Sequence, residues 1–326
     1  MSIVLDAMGG DYAPEEIVKG ALQAAPDMHY PIILVGDPSK IEKFLPKPIP
    51  KNIEIYPASE AIEMDDKPVE AMRKKKDSSL AVGAKLVKEG KADAMVSAGN
   101  TGAATAISLL SWRQVKGIHR PAIASMMPHN DEHFLLLDAG ASPDVSAEHL
   151  VEFAHMGRAY AEKVMNRSNP TVHLVNIGEE DSKGNAFAKK AHGLLAEYPW
   201  FAGNIEGKDL FRKKVDVVVC DAFTGNVVLK TCEGVAEFIM KTVKDQLPDN
   251  KIAQLPYLPL KKVFAPLRKK VDYSEYGGSP LLGLNGLCII CHGRSNAKAI
   301  KNALLVAQKA SDNKLIDNIR MSMENS

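Results

Sequence analysis

Residues 3–11, Ile-Val-Leu-Asp-Ala-Met-Gly-Gly-Asp, are the stretch that decides the fold. The three apolar residues at its start are typical of a strand that is buried on both faces. Gly9 and Gly10 can adopt positive φ and leave space for a ligand beside the main-chain N–H groups. Pro14 follows at a point where a helix can begin. The stretch therefore predicts a strand, a turn and a helix, and the turn is either the border of a ligand site or a plain connection capped by Asp11.

Short β-branched and apolar runs alternate with helical stretches along the rest of the chain. The predicted strands cover residues 2–5, 31–35, 53–56, 94–97, 122–125, 134–137, 172–175 and 215–220. This alternation predicts an α/β fold with a largely parallel sheet covered by helices on both faces. No repeat or linker divides the sequence, so we expect one domain over residues 1–326. Ligands of such sheets bind beyond the carboxyl ends of the strands.

The bulk properties of the chain exclude several classes of protein. Its net charge of +1 over 326 residues gives no general basic surface for nucleic acid. The sequence contains no run of about 18 apolar residues and no secretory leader before the first strand. Four cysteines are too few for a disulfide framework. We therefore expect a cytoplasmic protein that does not span a membrane and does not bind nucleic acid.

Cys288 and Cys291 have the C-x-x-C spacing of some metal and redox sites. They fall in a predicted strand, however, where residues three apart face opposite sides of the sheet. We expect both to be core residues. No H-E-x-x-H motif and no carboxylate set with metal-binding spacing occurs, so we expect neither a metal nor a cofactor.

Residues 249–271 combine basic and apolar side chains and differ from their surroundings. Pro259 can begin a short helix, and four apolar residues then share one face: Leu260, Val263, Phe264 and Leu267. A basic helix with an apolar face can lie in a membrane interface or cover a partner. We expect a protruding helical segment here, either packed at a subunit interface or in contact with a membrane.

Residues 97–103, Ser-Ala-Gly-Asn-Thr-Gly-Ala, follow a predicted strand and open a helix of small residues. The free N–H groups at the start of a helix suit a phosphate, and glycines leave room for it. The lysine and the spacing of a Walker P-loop are missing. These residues therefore predict either a phosphate site or a tight helix-packing turn.

Three further turns have the same chemical character. Residues 175–185 place an amide, acids and one lysine before a predicted helix over 186–195, and Lys183 is either functional or merely solvated. Residues 221–226, Asp-Ala-Phe-Thr-Gly-Asn, follow another strand, and a glycine-rich segment over 276–286 precedes the strand that ends at His292. No Gly-x-Ser-x-Gly elbow is present. Amide, hydroxyl and lysine groups suit a bound oxyanion and a developing negative charge.

Taken together, these motifs resemble the bacterial phosphate acyltransferase family. The resemblance rests on the segments 6–11 with Pro14, 97–103, 176–184, 221–230 and 280–286, which occur in the family's order over nearly the whole chain. Two positions depart from the family's pattern, namely Ala222, where we expect Gly, and Ser142, where we expect Asn. The extra methyl of Ala222 restricts its turn only slightly.

The resemblance implies an enzyme that moves a fatty acyl group from acyl carrier protein to inorganic phosphate. The acyl phosphate would feed the first acylation of glycerol 3-phosphate, by a glycerol-3-phosphate acyltransferase, in phospholipid synthesis. The family also implies a Rossmann-like fold similar to isocitrate and isopropylmalate dehydrogenases, a homodimer, and peripheral association with the inner face of the cell membrane.

We assign roles to the turns on this basis. Lys183, Asn226 and Asp221 are the catalytic candidates, with Lys183 neutralising phosphate and Asn226 stabilising the tetrahedral oxyanion together with N–H groups around Gly225. Asp221, like Asp6 and Asp11, would orient its neighbours. The predicted phosphate and substrate contacts are Gly9, Gly10, Asp11, Asn100, Thr101, Gly102, Asn176, Gly178, Thr224, Gly225 and His292.

The basic segments then acquire candidate partners. Carrier proteins are acidic and phospholipid surfaces are anionic, so the lysines within 249–271 would suit either partner. The predicted membrane contacts are Leu258, Leu260, Val263, Phe264 and Leu267. The basic run over 73–76 is a second candidate for a carrier-protein contact, although such a run is often only a solvated helix face.

Two other functions remain open from the sequence. An NAD-dependent decarboxylating dehydrogenase would share the implied fold, but it needs a metal-binding aspartate cluster that the sequence lacks. A membrane-bound scaffold of lipid-synthesis enzymes would need the 249–271 segment but not the glycine turns.

Overall fold

Two β-sheets, rather than the single sheet predicted, form the centre of the fold. The computed structural model describes residues 1–129, 132–246 and 273–324. The first sheet has the strand order β3-β2-β1-β4-β12-β11-β5, and the second has the order β6-β7-β10-β8-β9. Most neighbours are parallel, and the antiparallel pairs are β11 with β12, β11 with β5, and β6 with β7. The α/β class and the largely parallel pairing are confirmed.

The strands are β1 Ile3–Asp6, β2 Ile32–Gly36, β3 Ile53–Pro57, β4 Ala94–Ser97, β5 Ala122–Ile123, β6 Ser125–Pro128, β7 His133–Leu137, β8 Val172–Asn176, β9 Phe201–Glu206, β10 Val217–Val219, β11 Ser279–Leu282 and β12 Leu287–Ile290. The helices are α1 Glu15–Ala24, α2 Pro38–Ile41, α3 Pro68–Lys74, α4 Ser79–Lys88, α5 Thr101–Trp112, α6 Ala147–Lys163, α7 Ala186–Leu195, α8 Ala222–Asp245, α9 Ala297–Asp312 and α10 Leu315–Glu324. Each of the eight predicted strands overlaps an observed strand, and the one predicted over 122–125 overlaps two.

The predicted strand over 122–125 is the point at which the single-sheet prediction fails. The structure divides it at Ala124, so that β5 pairs with β11 in the first sheet and β6 pairs with β7 in the second. The Ala124 N–H donates to the Pro280 carbonyl at 3.0 Å instead of continuing the ladder of β6. One stretch of chain therefore belongs to both sheets and brings their edges together.

Helix packing on the first sheet requires a close approach between α1 and α9. Gly20 makes this possible, because a Cβ at that position would lie 2.5 Å from Cβ of Ile300. Ile17 and Ala21 on the same helix are buried in the core cluster that also contains Ile300. Burial of one isoleucine side chain stabilises the fold by about 1.5–3 kcal/mol. A Gly20→Ala substitution would push the two helices apart.

The two cysteines with C-x-x-C spacing are buried and lie in separate core clusters. Cys288 packs with the cluster that contains Leu80 and Met95, whereas Cys291 packs with the cluster that contains Ile3 and Ile300. The prediction that they face opposite sides as core residues is confirmed. All four cysteines are free thiols.

The basic segment over 249–271 lies outside the described residues, and so do the predicted membrane contacts Leu258, Leu260, Val263, Phe264 and Leu267. Within the described ranges, none of the helices has both the length and the apolar character needed to cross a membrane.

Candidate active site

The turns that follow β1, β4 and β12 pack against one another at the carboxyl edge of the first sheet. The Asp11 N–H donates to the Gly293 carbonyl at 2.8 Å, which joins the first turn to the last. Gly9 lies so close to the second turn that a Cβ on it would be 2.8 Å from the Gly99 nitrogen. We call these three turns, residues 7–11, 98–102 and 291–293, the first wall.

Asp6 holds the first wall together from beneath. Its carboxylate is almost fully buried and accepts hydrogen bonds from the hydroxyls of Ser79 and Ser97 at 2.6 and 2.7 Å. The Met8 N–H adds a bond of 3.2 Å. Burial raises the pKa of Asp6, and the hydroxyl and N–H donors partly offset this effect. Asp6 therefore supports the turns.

The N-terminus of α5 presents free N–H groups to solvent. Asn100 caps the helix, since its Oδ1 accepts the Ala103 N–H at 3.0 Å, and its Nδ2 donates to the Asp66 carbonyl at 2.9 Å. The N–H groups of Thr101 and Gly102, both exposed, donate to no other described residue. Two N–H groups with the helix dipole behind them can bind a phosphate oxygen. The Asn100 amide is itself occupied by the cap.

Asp138 lies at the end of β7, opposite the first wall. Its side chain is fully buried, and Oδ1 accepts the N–H groups of Ile123, Gly140 and Ala141 at 2.9 Å each. Oδ2 accepts the Ser142 N–H at 2.8 Å. The N–H groups of this turn are therefore occupied within the protein and do not face a ligand.

Helix α8 begins beside the Asp138 turn. Asp221 caps it by accepting the Thr224 N–H at 2.9 Å and the Thr224 hydroxyl at 2.6 Å. The Gly225 N–H donates to the Asp221 carbonyl at 2.9 Å, so this one of the N–H groups around Gly225 is occupied within the helix. The Asn226 side chain is exposed and bonds to no other described residue. We call residues 138–142 and 221–226 the second wall.

A cavity of about 410 Å³ separates the two walls. Thr101 borders it on the first wall, and Gly140 and Asn226 border it on the second. The apolar part of the lining includes Ile123, Met126, Met127, Leu229 and Ile290, and the polar part includes Ser125, Lys230, Glu233, Ser279 and His292. The cavity therefore joins amide and hydroxyl groups to an apolar surface.

His292 is half-buried where β12 ends at the cavity. Burial lowers its pKa, and the nearby Lys230 ammonium lowers it further. Lys230 also forms an ion pair with Glu233 at 2.8 Å. Nδ1 of the imidazole accepts the Arg294 N–H at 3.2 Å.

The turn after β8 contains the remaining candidates. The Asn176 amide donates to the Lys183 carbonyl at 3.2 Å, and a Cβ on Gly178 would lie 2.7 Å from Cγ of Lys183. The Lys183 ammonium is about half exposed and lies 4.0 Å from Glu180. β8 is next to β10, so this turn occupies the same edge as the second wall. Lys183 is not among the described residues that line the cavity.

The structure thus brings Thr101, Asn226 and His292 to one cavity. Gly9, Gly10, Asp11, Asn100 and Gly102 lie in the first wall behind or beside it, and Asp221, Thr224 and Gly225 lie in the second. Sequence reasoning missed Lys230 and Glu233 as lining residues. The position of Lys230 four residues after Asn226 in a predicted helix was a usable signal, since such residues share a face.

Two groups of possible metal ligands occur among the described residues, and neither is among the residues that line the cavity. They are His119 with His149 and Glu152, and Glu179 with Glu206 and Asp209. In the first group, both Glu152 oxygens already accept hydrogen bonds from His119 at 2.7 and 2.8 Å. That carboxylate is therefore satisfied without a metal.

A family model described as "Fatty acid synthesis protein" matches residues 1–318. Curated relatives include a phosphate acyltransferase of Heliobacterium modesticaldum, 52% identical over 313 residues that make up 95% of this chain and 93% of the relative. Another is a phosphate acyltransferase of Thermodesulfovibrio yellowstonii, 50% identical over 310 residues that make up 94% of this chain and 90% of the relative.

Solved structures share the fold at low sequence identity. A phosphotransacetylase from Streptococcus pyogenes matches with a TM-score of 0.64 and 17% identity over 96% of this chain and 94% of its own. A 4-hydroxythreonine-4-phosphate dehydrogenase from Klebsiella pneumoniae matches with a TM-score of 0.51 and 13% identity over 95% of this chain and 99% of its own. At these identities the likeness concerns the fold alone.

Proposed function

This chain belongs to the fatty acid synthesis protein family, and from that premise we propose that it is a phosphate acyltransferase that moves a fatty acyl group from acyl carrier protein to inorganic phosphate. A phosphate oxygen attacks the thioester carbonyl carbon and forms a C–O bond. The C–S bond then breaks, the thiolate of the carrier leaves and takes up a proton, and an acyl phosphate remains. A thiol of pKa about 8.5 is a good leaving group, so the reaction needs positioning more than a strong base.

One observation carries this proposal. Thr101, at the start of α5, and Asn226, in the first turn of α8, line one cavity from opposite walls, and the lining is largely apolar. The N–H groups of Thr101 and Gly102 bind phosphate, and Lys183 approaches from the β8 turn to neutralise it. The Asn226 side chain stabilises the oxyanion of the tetrahedral intermediate, an effect typically worth about 3–4 kcal/mol per donor. The acyl chain lies along Met127 and its apolar neighbours.

The other candidate residues serve these groups. Asp221 and Thr224 fix the first turn of α8, and Gly225 lets it approach β7 closely, so that Asn226 faces the cavity. Asn176 and Gly178 shape the turn that carries Lys183. His292 and the 9–11 turn border the phosphate end of the cleft.

The substrates and partners follow from the same proposal. Acidic acyl carrier protein approaches a basic surface, for which the 73–76 run is one candidate. Two of its lysines are already paired in the described structure, Lys74 with Glu70 at 3.4 Å and Lys75 with Asp66. The acyl phosphate passes to a glycerol-3-phosphate acyltransferase for phospholipid synthesis, with the enzyme held peripherally on the cytoplasmic face of the membrane by the segment 249–271.

A homodimer is supported by the surface of α8. Five large apolar side chains of this helix are exposed, namely Phe223, Val227, Val235, Phe238 and Ile239. Several exposed apolar side chains on one helix are typical of an interaction surface. We propose a single domain over residues 1–326, because one core cluster includes residues of both sheets, such as Ile3 and Leu137. The likeness to isocitrate and isopropylmalate dehydrogenases remains part of this proposal.

The test is to mix the protein with acyl carrier protein that carries a fatty acyl chain, with and without phosphate, and to trap acyl phosphate with hydroxylamine. We expect product only with phosphate. Thioester loss without phosphate would indicate a thioesterase, and reduction of added NAD would indicate the dehydrogenase. Lys183→Ala should abolish most of the activity, whereas the control Lys88→Ala, at an exposed position of α4, should retain it.

A further inference from the structure

Asp138 contacts each element that forms the second wall. Its main-chain N–H donates to the Cys220 carbonyl at 3.0 Å, at the end of β10. Its carboxylate accepts the Ile123 N–H, which belongs to β5 of the other sheet. One residue therefore connects the two sheets beside the cavity.

The carboxylate also determines the shape of the turn that lines the cavity. Three consecutive N–H groups, those of Gly140, Ala141 and Ser142, point to its two oxygens at 2.8–2.9 Å. Because the donors are main-chain groups, the bonds fix the path of the backbone rather than one rotamer. Gly140 of this turn borders the cavity beside Asn226.

The main-chain carbonyl of Asp138 sets the position of α8. A Cβ on Gly225 would lie 1.9 Å from this oxygen, so the helix touches the backbone of Asp138 directly. Asn226 is the next residue. A displacement of the Asp138 main chain therefore displaces Gly225 and the adjacent Asn226 directly, because no flexible side chain lies between Asp138 and Gly225.

We propose that Asp138 is a positioning residue for acyl transfer, which holds the Asn226 amide at the place where the oxyanion forms. This inference rests on the proposed function. Asp138 does not touch the substrate, because its side chain is fully buried. Its effect is specific to the acyl side of the cleft, since phosphate binds at the opposite wall.

Asp138→Asn tests the proposal. The new side chain has one acceptor oxygen and one NH2 group in place of the two carboxylate oxygens. At least one main-chain N–H therefore faces this NH2 group, and the turn must shift. A misplacement of about 1 Å can cost about 10²-fold in rate. We expect kcat per folded molecule to fall by about that factor while the KM for phosphate stays unchanged. In an Asn226→Ala background, Asp138→Asn should cause no further loss of kcat, because it acts through Asn226.

Asp216→Asn is the matched control. Asp216 is also buried and accepts the Thr171 N–H at 3.0 Å, but it lies at the amino end of β10, away from the cavity. It should lower stability without lowering kcat per folded molecule. If Asp138→Asn does not fold, Ser142→Ala replaces it as the test. This variant removes the hydrogen bond of 2.9 Å from the Ser142 hydroxyl to the Pro121 carbonyl. It should lower kcat by a smaller factor, and it should cause no further loss of kcat in the Asn226→Ala background.

The outcomes separate the two proposals. Unchanged kcat in folded Asp138→Asn, or an equal loss in the Asn226→Ala background, overturns the positioning role and leaves the proposed function intact. If Asp138→Asn does not fold, unchanged kcat in Ser142→Ala overturns it in the same way. A wild-type protein that makes no acyl phosphate overturns the proposed function itself.

Discussion

The two walls of the cleft each rest on a buried aspartate, but they are built from different hydrogen-bond donors. Asp6, under the first wall, accepts from two hydroxyls and one main-chain N–H, and each hydroxyl can rotate and can also accept. Asp138, under the second wall, accepts from four main-chain N–H groups that can only donate. The first wall can therefore adapt to a changed partner, whereas the second cannot.

The walls also differ in what they offer to the substrate. The first wall presents main-chain N–H groups at the start of α5, whereas the N–H groups of the 138–142 turn are occupied and the second wall presents the Asn226 side chain instead. Most substitutions at Asn226 remove its side-chain amide, whereas only proline removes a main-chain N–H. The comparison therefore predicts that function is more sensitive to substitution on the second wall.

The largest expected effect is a difference in kcat between substitutions on the two walls. Asn226→Ala should lower kcat by about 10²–10³-fold, because it removes the proposed oxyanion donor. Thr101→Ala should lower it only about fivefold, because one hydroxyl is lost and the N–H groups remain. Steady-state assays of acyl phosphate formation measure both. Equal losses in the two variants would contradict the division of roles.

The next effect concerns close packing. Gly225→Ala places a methyl against the Asp138 carbonyl oxygen and should destabilise the fold by about 3 kcal/mol. Gly99→Ala, on the first wall, places its Cβ 3.2 Å from Cα of Gly9 and should cost about 1 kcal/mol. Denaturant unfolding of both variants gives the two free energies. If Gly99→Ala lowered the free energy of unfolding more than Gly225→Ala, the second wall would be the less rigid of the two.

The two aspartates provide a smaller contrast in stability. Asp138→Asn leaves at least one buried main-chain N–H without an acceptor, which costs about 1–3 kcal/mol. Asp6→Asn should cost less, because its oxygen can stay at the Oδ1 position for Met8 and Ser79 while the Ser97 hydroxyl rotates to accept from the new NH2 group. Thermal unfolding of the two variants under one buffer condition tests the order. A greater loss in Asp6→Asn would break the comparison.

The smallest effect is a pH dependence at Asp6. Burial raises its pKa in the folded protein above the ordinary value of 3.8, so the folded state binds more protons than the unfolded state between these two pKa values. The free energy of unfolding of the wild type, relative to Asp6→Asn, should therefore fall as the pH rises through that window. Chemical unfolding at a series of acidic pH values measures this difference, and a rise with pH would contradict it.

Local patterns predicted the elements of this fold well, because buried strands and glycine turns depend on residues adjacent in sequence. The helix predicted over 186–195 is observed at those bounds, and the helix predicted to open within 97–103 begins at Thr101. The second sheet was not predictable in this way. Its separation depends on Ala124, whose N–H bonds to Pro280 far along the chain.

The strand β9 was missed for a different reason. It contains Gly203, which has a φ of 92°, and its pairing with β8 shifts register after Val172. Both features weaken the pattern of a regular strand. The role of Asp138 was also out of reach, because its donor from Ile123 belongs to another sheet. The predicted strand over 134–137 ends directly before Asp138.

The strand order has a consequence for the synthesis of the chain. Strands β6 to β10, which form the whole second sheet, lie between residues 125 and 219. In the first sheet, β4 pairs on one side with β1 and on the other with β12, which ends at Ile290. That second pairing cannot form until the ribosome has released residues 287–290. The strand that leads to His292 also connects β11 and β5 to the rest of the sheet, so the cleft is completed only near the end of translation.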